Sequence, residues 1–239
     1  MCAREKLCVF TRYPEPGRTK TRLIPALGAE SAACLQHAMT AHVLAAATTV
    51  ATARKTDVEV RFEGGDEARM RAFFGAAFRY QPQGGGDLGE RMWRCAREGR
   101  ESGAESVVLV GSDIPGVDAD ILTKAFDVLR SHDLVIGPAT DGGYYLVGLR
   151  REVPELFADM PWGTEHVLRR TLQMPYGDQA LFMKTETFKA IGGFPELPIM
   201  EDFEMVRRLK RRGRICIVHA HAITSTRRWK KRGILAKNI

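Results

Sequence analysis

SVVLVGSDIPG, residues 106–116, is the stretch whose reading decides the fold. Four consecutive apolar residues, Val107 to Val110, stand between Ser106 and Gly111, with Pro115 and Gly116 closing the segment, so it reads as a short strand buried on both faces. Ser112 and Asp113 then fall just past the strand's carboxyl end. Open α/β sheets place their ligand chemistry at that edge. A carboxylate there can hold Mg²⁺ or Mn²⁺ through a hard oxygen ligand, and such an ion can bridge the phosphates of a nucleotide. Asp113 is therefore the candidate metal ligand. The competing reading makes it a cap for the helix that begins near Asp118.

Working outward, the amino-terminal flank repeats the same plan. Leu7 to Thr11 forms a short apolar strand that breaks at a turn-rich Tyr13 to Gly17, and RTKTRL (residues 18–23) follows. Arg18, Lys20 and Arg22 thus follow a glycine turn leading into a helix, an arrangement that converges cations and backbone N–H groups on an anion. Its spacing is neither that of a Walker A loop nor GxGxxG. Residues 30–52 are alanine-rich with Leu35, Met39, Val43 and Val50 at helical spacing, which predicts a long packing helix. His37 and His42 lie on it without an acidic or cysteine partner at ligand spacing, and both read as structural. Residues 57–62 (DVEVRF) alternate as a strand does, and residues 66–74 read as a helix. Residues 78–80 lead into QPQGGGDLGERM (81–92), whose three glycines exclude regular structure and whose Asp87 precedes a helix starting near Glu90.

The carboxyl-side flank brings a helix over residues 119–130 and a buried strand over 134–136. GPATDGGYYLVGL (137–149) then turns at Asp141-Gly142-Gly143 and returns as a strand over 144–149. Asp141 is a second carboxylate at a second strand end, suited to sharing the metal or positioning an acceptor. Helical pieces follow at 154–157 and 164–172, the latter with Thr164 as its cap. A further helix is predicted over 179–190. Glu201 and Asp202 precede a helix over 203–212, where a positive helix end keeps Asp202 ionised and able to accept a proton. A last strand spans 215–218, with His219 and His221 beyond it.

Composition narrows the classes. The 239 residues suffice for one large α/β domain, and 44% hydrophobic content is ordinary for a soluble globule. No run of apolar residues is long enough to span a membrane and the amino terminus has no signal-peptide pattern, which with five scattered cysteines leads us to expect a cytoplasmic protein without a zinc site. The net charge of +7 belongs to the tail: residues 203–239 hold twelve Lys or Arg against one acid, while residues 1–202 hold 24 bases and 28 acids. RRLKRRGR (207–214) and RRWKKR (227–232) can attract phosphates or an anionic membrane surface. With no helix-turn-helix, zinc-finger or aromatic RNA-binding pattern, no nucleic-acid partner is expected.

Five motifs in order, FTRYPEPGRTKTRL (10–23), GGGDLGERM (84–92), VVLVGSDIPG (107–116), GPATDGGYYLVGL (137–149) and WGT (162–164), resemble the nucleotide-diphospho-sugar transferase-like family that accompanies radical-SAM and selenium-domain proteins and is described as arsenosugar-biosynthesis glycosyltransferases. The resemblance covers residues 1–172. It implies a GT-A fold, a Rossmann-like, mostly parallel sheet flanked by helices, with distant kinship to guanylyltransferases. It also implies nucleotide binding by Arg12, Lys20, Arg22, Asp87, Leu88 and Gly89, and metal binding by Asp113. Residues 174–232 resemble instead the carboxyl half of inverting family-two glycosyltransferases, with YGDQ (176–179) and MED (200–202) as the marks. That resemblance implies Asp202 as catalytic base. The chain joins the front of one family to the back of the other near residues 172–175, so residues 173–239 are expected to complete the domain begun by 1–172. The implied reaction is Mg²⁺- or Mn²⁺-dependent transfer of a sugar from a nucleotide-diphospho-sugar to a small acceptor, with Asp141 as a second catalytic carboxylate. Nucleotidyl transfer from an NTP to a phosphorylated acceptor, or nucleotide binding without turnover, are the alternatives.

Overall fold

The computed structural model describes residues 5–172, 185–190, 192 and 208. The chain divides into two compact units, residues 1–171 and 172–239. Of the expected helix over 203–212 only Arg208 is described, as helical, and the strand over 215–218, Asp202, His219 and His221 lie outside the described residues. In the second unit the described helix is Thr185–Ala190, within the predicted 179–190.

In the first unit, Ser106–Gly111 forms a strand buried along nearly its whole length, as four apolar residues without a polar face require. It is β4 of a six-stranded sheet whose other strands are β1 (Glu5–Arg12), β2 (Asp57–Glu63), β3 (Arg79–Pro82), β5 (Leu134–Pro138) and β6 (Tyr144–Leu149). The order is β3-β2-β1-β4-β6-β5. β1 lies parallel to both β2 and β4, and β3 is parallel to β2. β6 then runs antiparallel between β4 and β5. Four neighbouring parallel strands thus end on one edge, and β5, running the same way as β4, brings its turn to that edge too.

The helices follow from local chemistry. Alanine-rich α2 (Ala29–Arg54) buries Val43, Leu44, Ala47 and Val50, and α5 (Ala119–Leu129) buries Leu122, Phe126 and Leu129. Both pack on the face formed by Leu7, Val9, Val58, Val60, Val108 and Val110. A short helix α1 (Ile24–Leu27) enters α2 through Gly28, whose φ is 80°. Asp66 caps α3 (Glu67–Phe74), accepting from Arg69 N, and Asp118 caps α5 in the same way at Ile121 N. The carboxyl-terminal helix of this unit, α6, is Val167–Leu172. It starts three residues later than the predicted 164, and in the turn before it the Thr164 hydroxyl donates to Pro161 O at 2.8 Å and accepts from His166 N at 3.3 Å.

The opposite face is charged where it meets α4 (Leu88–Glu101). Glu59 and Arg61, which the alternating DVEVRF pattern would place on a half-exposed face, are each 1% exposed. Lys6 donates to Glu59 at 2.7 Å, and Arg61 bonds both Glu59 and Glu98. Burial pulls the Lys6 ammonium toward its neutral form, but the bond to Glu59 and the nearby anions outweigh this and raise its pKa above 10.5. α4 comes close enough for this pairing because Gly99 sits against Val107 and Lys6. Removing one partner would leave a buried charge uncompensated. Glu59→Gln is expected to destabilise the protein by about 3–5 kcal/mol in urea unfolding; a loss under 1 kcal/mol would show that the network contributes little.

Candidate nucleotide and phosphate site

The ends of β1 and β4 are tied by a buried polar cluster. Ser112 Oγ donates to Thr11 Oγ1 at 2.9 Å, Thr11 and Thr40 hydroxyls lie 2.7 Å apart, and Gln36 Nε2 reaches Ser112, Thr40 and Thr11 at 3.2, 3.1 and 3.3 Å. All four side chains belong to residues no more than 4% exposed. Water cannot substitute for these bonds, so both strand ends are fixed relative to α2. Gln83 does the same for the other strands, donating to Thr11 O and Arg61 O at 3.0 and 3.2 Å. The sequence reading missed Gln36 and Thr40. Their signal was two polar residues at helical spacing on the stripe that also carries Val43 and Val50.

Immediately past these ties stand the candidate residues. Lys20 Nζ lies 3.0 Å from a carboxylate oxygen of Asp113, the lysine side chain 17% and the aspartate 59% exposed. The structure therefore brings together the predicted phosphate lysine and the predicted metal ligand. Lys20 has left-handed backbone (φ 51°, ψ 40°), a conformation costing a non-glycine residue about 1–2 kcal/mol. The preceding loop is pinned by Thr19 Oγ1, which donates to Tyr13 O at 2.8 Å. Arg22 is exposed at the following turn. Arg12 pairs with Glu63 at 2.9 Å, and Arg91 approaches the same carboxylate oxygen at 3.4 Å.

The glycine loop is held as a shape. Gly84 and Gly86 have φ of 81° and 96°, and Arg94 donates to Gln83 O and Gly85 O while Arg91 donates to Gly86 O. Asp87 caps α4 in a reciprocal box with Glu90, at 2.8 Å in each direction. Leu88 is 44% exposed beside it. Gly89 is buried: a Cβ there would overlap Phe157 O and lie 2.6 Å from Trp162 Nε1. The glycine loop and the WGT segment therefore pack on each other. The Trp162 N–H is buried without a hydrogen-bond partner among the described residues.

Asp141 lies in the β5–β6 turn on the same sheet edge. Its Oδ1 accepts from Gly143 N at 3.0 Å, and the turn is tied to α6 by Leu168 N donating to Gly142 O at 2.8 Å. A hard cation needs mostly oxygens and water, and Mg²⁺ usually takes one or two carboxylates plus substrate phosphates. Asp113, exposed and with one oxygen on Lys20, fits that demand. Among the described residues, ligand-type side chains gather elsewhere at Cys8, Glu59 and Cys95, under α4. There Lys6 and Arg61 already occupy Glu59, and a hydrogen bond with Cys95 together with burial pushes the Cys8 thiol well up, which does not suit a hard cation. A cavity of about 620 Å³ opens at the opposite sheet edge, where β2 and β3 begin, lined by Thr52, Asp57, Arg71 and Arg79; it holds none of the candidate residues. His37 stacks on Phe74, and His42 is exposed. Among the described residues no helix is long and apolar enough to cross a membrane.

A mostly parallel sheet with helices on both faces, bearing a lysine, a carboxylate and a glycine loop on its carboxyl edge, defines an α/β protein of the nucleotide-diphospho-sugar transferase type. The chain belongs to the family described as uncharacterized protein conserved in bacteria (DUF2064), whose model matches residues 44–164. A crystal structure from Desulfovibrio desulfuricans G20, described as a candidate nucleotide-diphospho-sugar transferase, is 33% identical, with 71% of this chain and 74% of that one covered and a TM-score of 0.63. A 4-diphosphocytidyl-2C-methyl-D-erythritolsynthase from Anaerococcus prevotii DSM 20548 is 10% identical over 79% and 85% of the two chains, TM-score 0.42. A cytidylyltransferase from Leptospira borgpetersenii serovar Hardjo-bovis is 13% identical over 70% of each, TM-score 0.41. These last two are too remote to bear on function. No curated protein matches the chain.

The packing of the loop against WGT has a direct check. Gly89→Ala is expected to destabilise the protein by about 1–3 kcal/mol in urea unfolding, since the added methyl meets backbone and an indole with no room to move. An unchanged midpoint would show that the two motifs do not pack.

Proposed function

We propose that this protein is a divalent-cation-dependent glycosyltransferase acting on a nucleotide-diphospho-sugar. The observation that carries the reading is the 3.0 Å approach of Lys20 to Asp113 at the carboxyl edge between β1 and β4. A diphosphate held there has a cation for its oxygens, and its counter-ion has a carboxylate. The similarity to the Desulfovibrio protein supports the same class. Lys20 and Arg22 bind the diphosphate, with Arg12 at its flank; Asp87, Leu88 and Gly89 shape the nucleotide side of the cleft through the capped start of α4. Asp113, with Asp141 on the same edge, holds the Mg²⁺ or Mn²⁺. Bound there, the ion would supply neutralisation of the charge on the leaving diphosphate.

Asp202 serves as base. It takes the proton from the acceptor hydroxyl as that oxygen bonds to the anomeric carbon, while the bond from this carbon to the diphosphate oxygen breaks and leaves the nucleoside diphosphate. In this reading residues 173–239 are a family-two glycosyltransferase segment that supplies Asp202, and the basic stretches 207–214 and 227–232 can rest on an anionic surface.

A second reading is nucleotidyl transfer from an NTP. The observation favouring it is that Lys20 and Asp113 both lie in the unit spanning residues 1–171, and phosphoryl chemistry needs little beyond charge and positioning there. Incubation with labelled nucleotide-sugars and with NTPs plus phosphorylated acceptors separates the two. Sugar transfer should fall about 10²–10⁴-fold in Asp202→Asn and about 10²–10³-fold in Lys20→Ala. Pyrophosphate release that survives Asp202→Asn, without any sugar transfer, would favour the second reading and contradict the first.

A further inference from the structure

We infer that Cys8 and Cys95 form a second, buried site, a thiolate pair that takes one soft, low-coordinate cation of the Cu⁺ type and clamps α4 to the sheet. The inference is independent of the reading of Lys20 and Asp113. Leu7 and Val9 face α2 and α5, so alternation along β1 turns Cys8 to the other side of the sheet. There it stands beside Glu59 in register and meets Cys95 from α4. The two sulfurs and a Glu59 oxygen lie within 4.8 Å of one another, on residues no more than 1% exposed. Two metal–sulfur bonds of about 2.3 Å laid end to end span about 4.6 Å, so this spacing admits one ion between the sulfurs.

The surroundings select the ion. Lys6 and Arg61 hold the Glu59 carboxylate between them, which leaves the two sulfurs as the ligands of the site. Two ligands are too few for Zn²⁺, and sulfur does not suit Mg²⁺ or Ca²⁺, whereas soft thiolates favour Cu⁺. The charges agree with this choice. Lys6 and Arg61 are two buried cations facing one buried carboxylate, Glu59, while the side chain of the other carboxylate, Glu98, is 31% exposed. Cu⁺ on two thiolates carries one negative charge, which the second buried cation balances. Uptake releases the two thiol protons to solvent and changes no oxidation state. Burial and the bond to Cys95 disfavour a bare thiolate at Cys8, so sulfur is stable there as a thiol or as a metal ligand. One turn further along α4, Gly99 already lies against Lys6 and Val107. An ion between Cys8 and Cys95 therefore joins strand and helix where they run closest, and α4 is the helix whose start carries the glycine loop.

The test uses the full chain carrying Cys2→Ser, Cys34→Ser and Cys216→Ser, so that Cys8 and Cys95 are its two thiols. It is titrated anaerobically, with ascorbate, against the coloured Cu⁺–bicinchoninate complex. The titration is run on folded protein and again on protein refolded from urea with the complex present, which gives the ion access to the buried pair. One Cu⁺ per chain should leave the chelator, X-ray absorption should show two sulfur neighbours on the copper, and the urea midpoint should rise. Cys8→Ala and Cys95→Ala in the same background, each checked by circular dichroism, should bind Cu⁺ at least about 100-fold more weakly. Copper left on the chelator by both the folded and the refolded chain would overturn the inference, as would an alanine variant that withdraws Cu⁺ as tightly as the intact pair. Copper held by nitrogen or oxygen alone would overturn it too, and this sulfur count decides the matter even if neither alanine variant folds.

Discussion

The parallel pairing of β1 with β4 is the constraint on which the rest depends. Glu5 to Phe10 run in register beside Ser106 to Gly111, and the Thr11–Ser112 hydrogen bond closes the pair at its carboxyl end. Because both chains leave the sheet at the same height, the loop after one strand faces the loop after the other. Lys20 and Asp113 meet for that reason. Neither side chain is rigid by itself. What positions them is the buried set of Gln36, Thr40, Thr11 and Ser112, whose polar atoms have no water to turn to and must satisfy each other.

The two faces of the sheet solve different problems. The face under α2 and α5 is apolar and needs no pairing. The face under α4 holds Lys6, Glu59, Arg61 and Glu98, whose charges must match because burial removes their hydration. That network sets α4 on the sheet, and the start of α4 carries the Asp87 cap and the glycine loop. Placement of the loop at the candidate site thus depends on ion pairs well away from it. Trp162, packed over Gly89, closes the other side of the same helix start.

Much of this was legible in the residues. VVLV gave a buried strand, the glycine and proline after it gave the strand's end, and the position of Asp113 followed. The long helix over Ala29–Arg54 and the strand over Tyr144–Leu149 were equally readable from spacing. Other features were not. The burial of Glu59 and Arg61 is invisible locally, because their compensating charges come from β1 and α4. That β6 rather than β5 pairs with β4 is a decision of packing, and a hairpin reads the same either way. Lys20 and Asp113 could each be named as candidates, but their contact depends on the register of two distant strands. Gln36 looked like an ordinary polar residue in an alanine-rich helix, since nothing near it in sequence reveals the strand ends it ties.

The most direct measurement is a crystal structure of the protein soaked with Mn²⁺ and a nucleoside diphosphate, with data collected for manganese anomalous scattering. The account predicts an anomalous peak against the Asp113 carboxylate, diphosphate density against Lys20, and the direct contact between those two side chains replaced by the ligand. Manganese and nucleotide bound elsewhere on the molecule, with the Lys20–Asp113 contact intact, would contradict it.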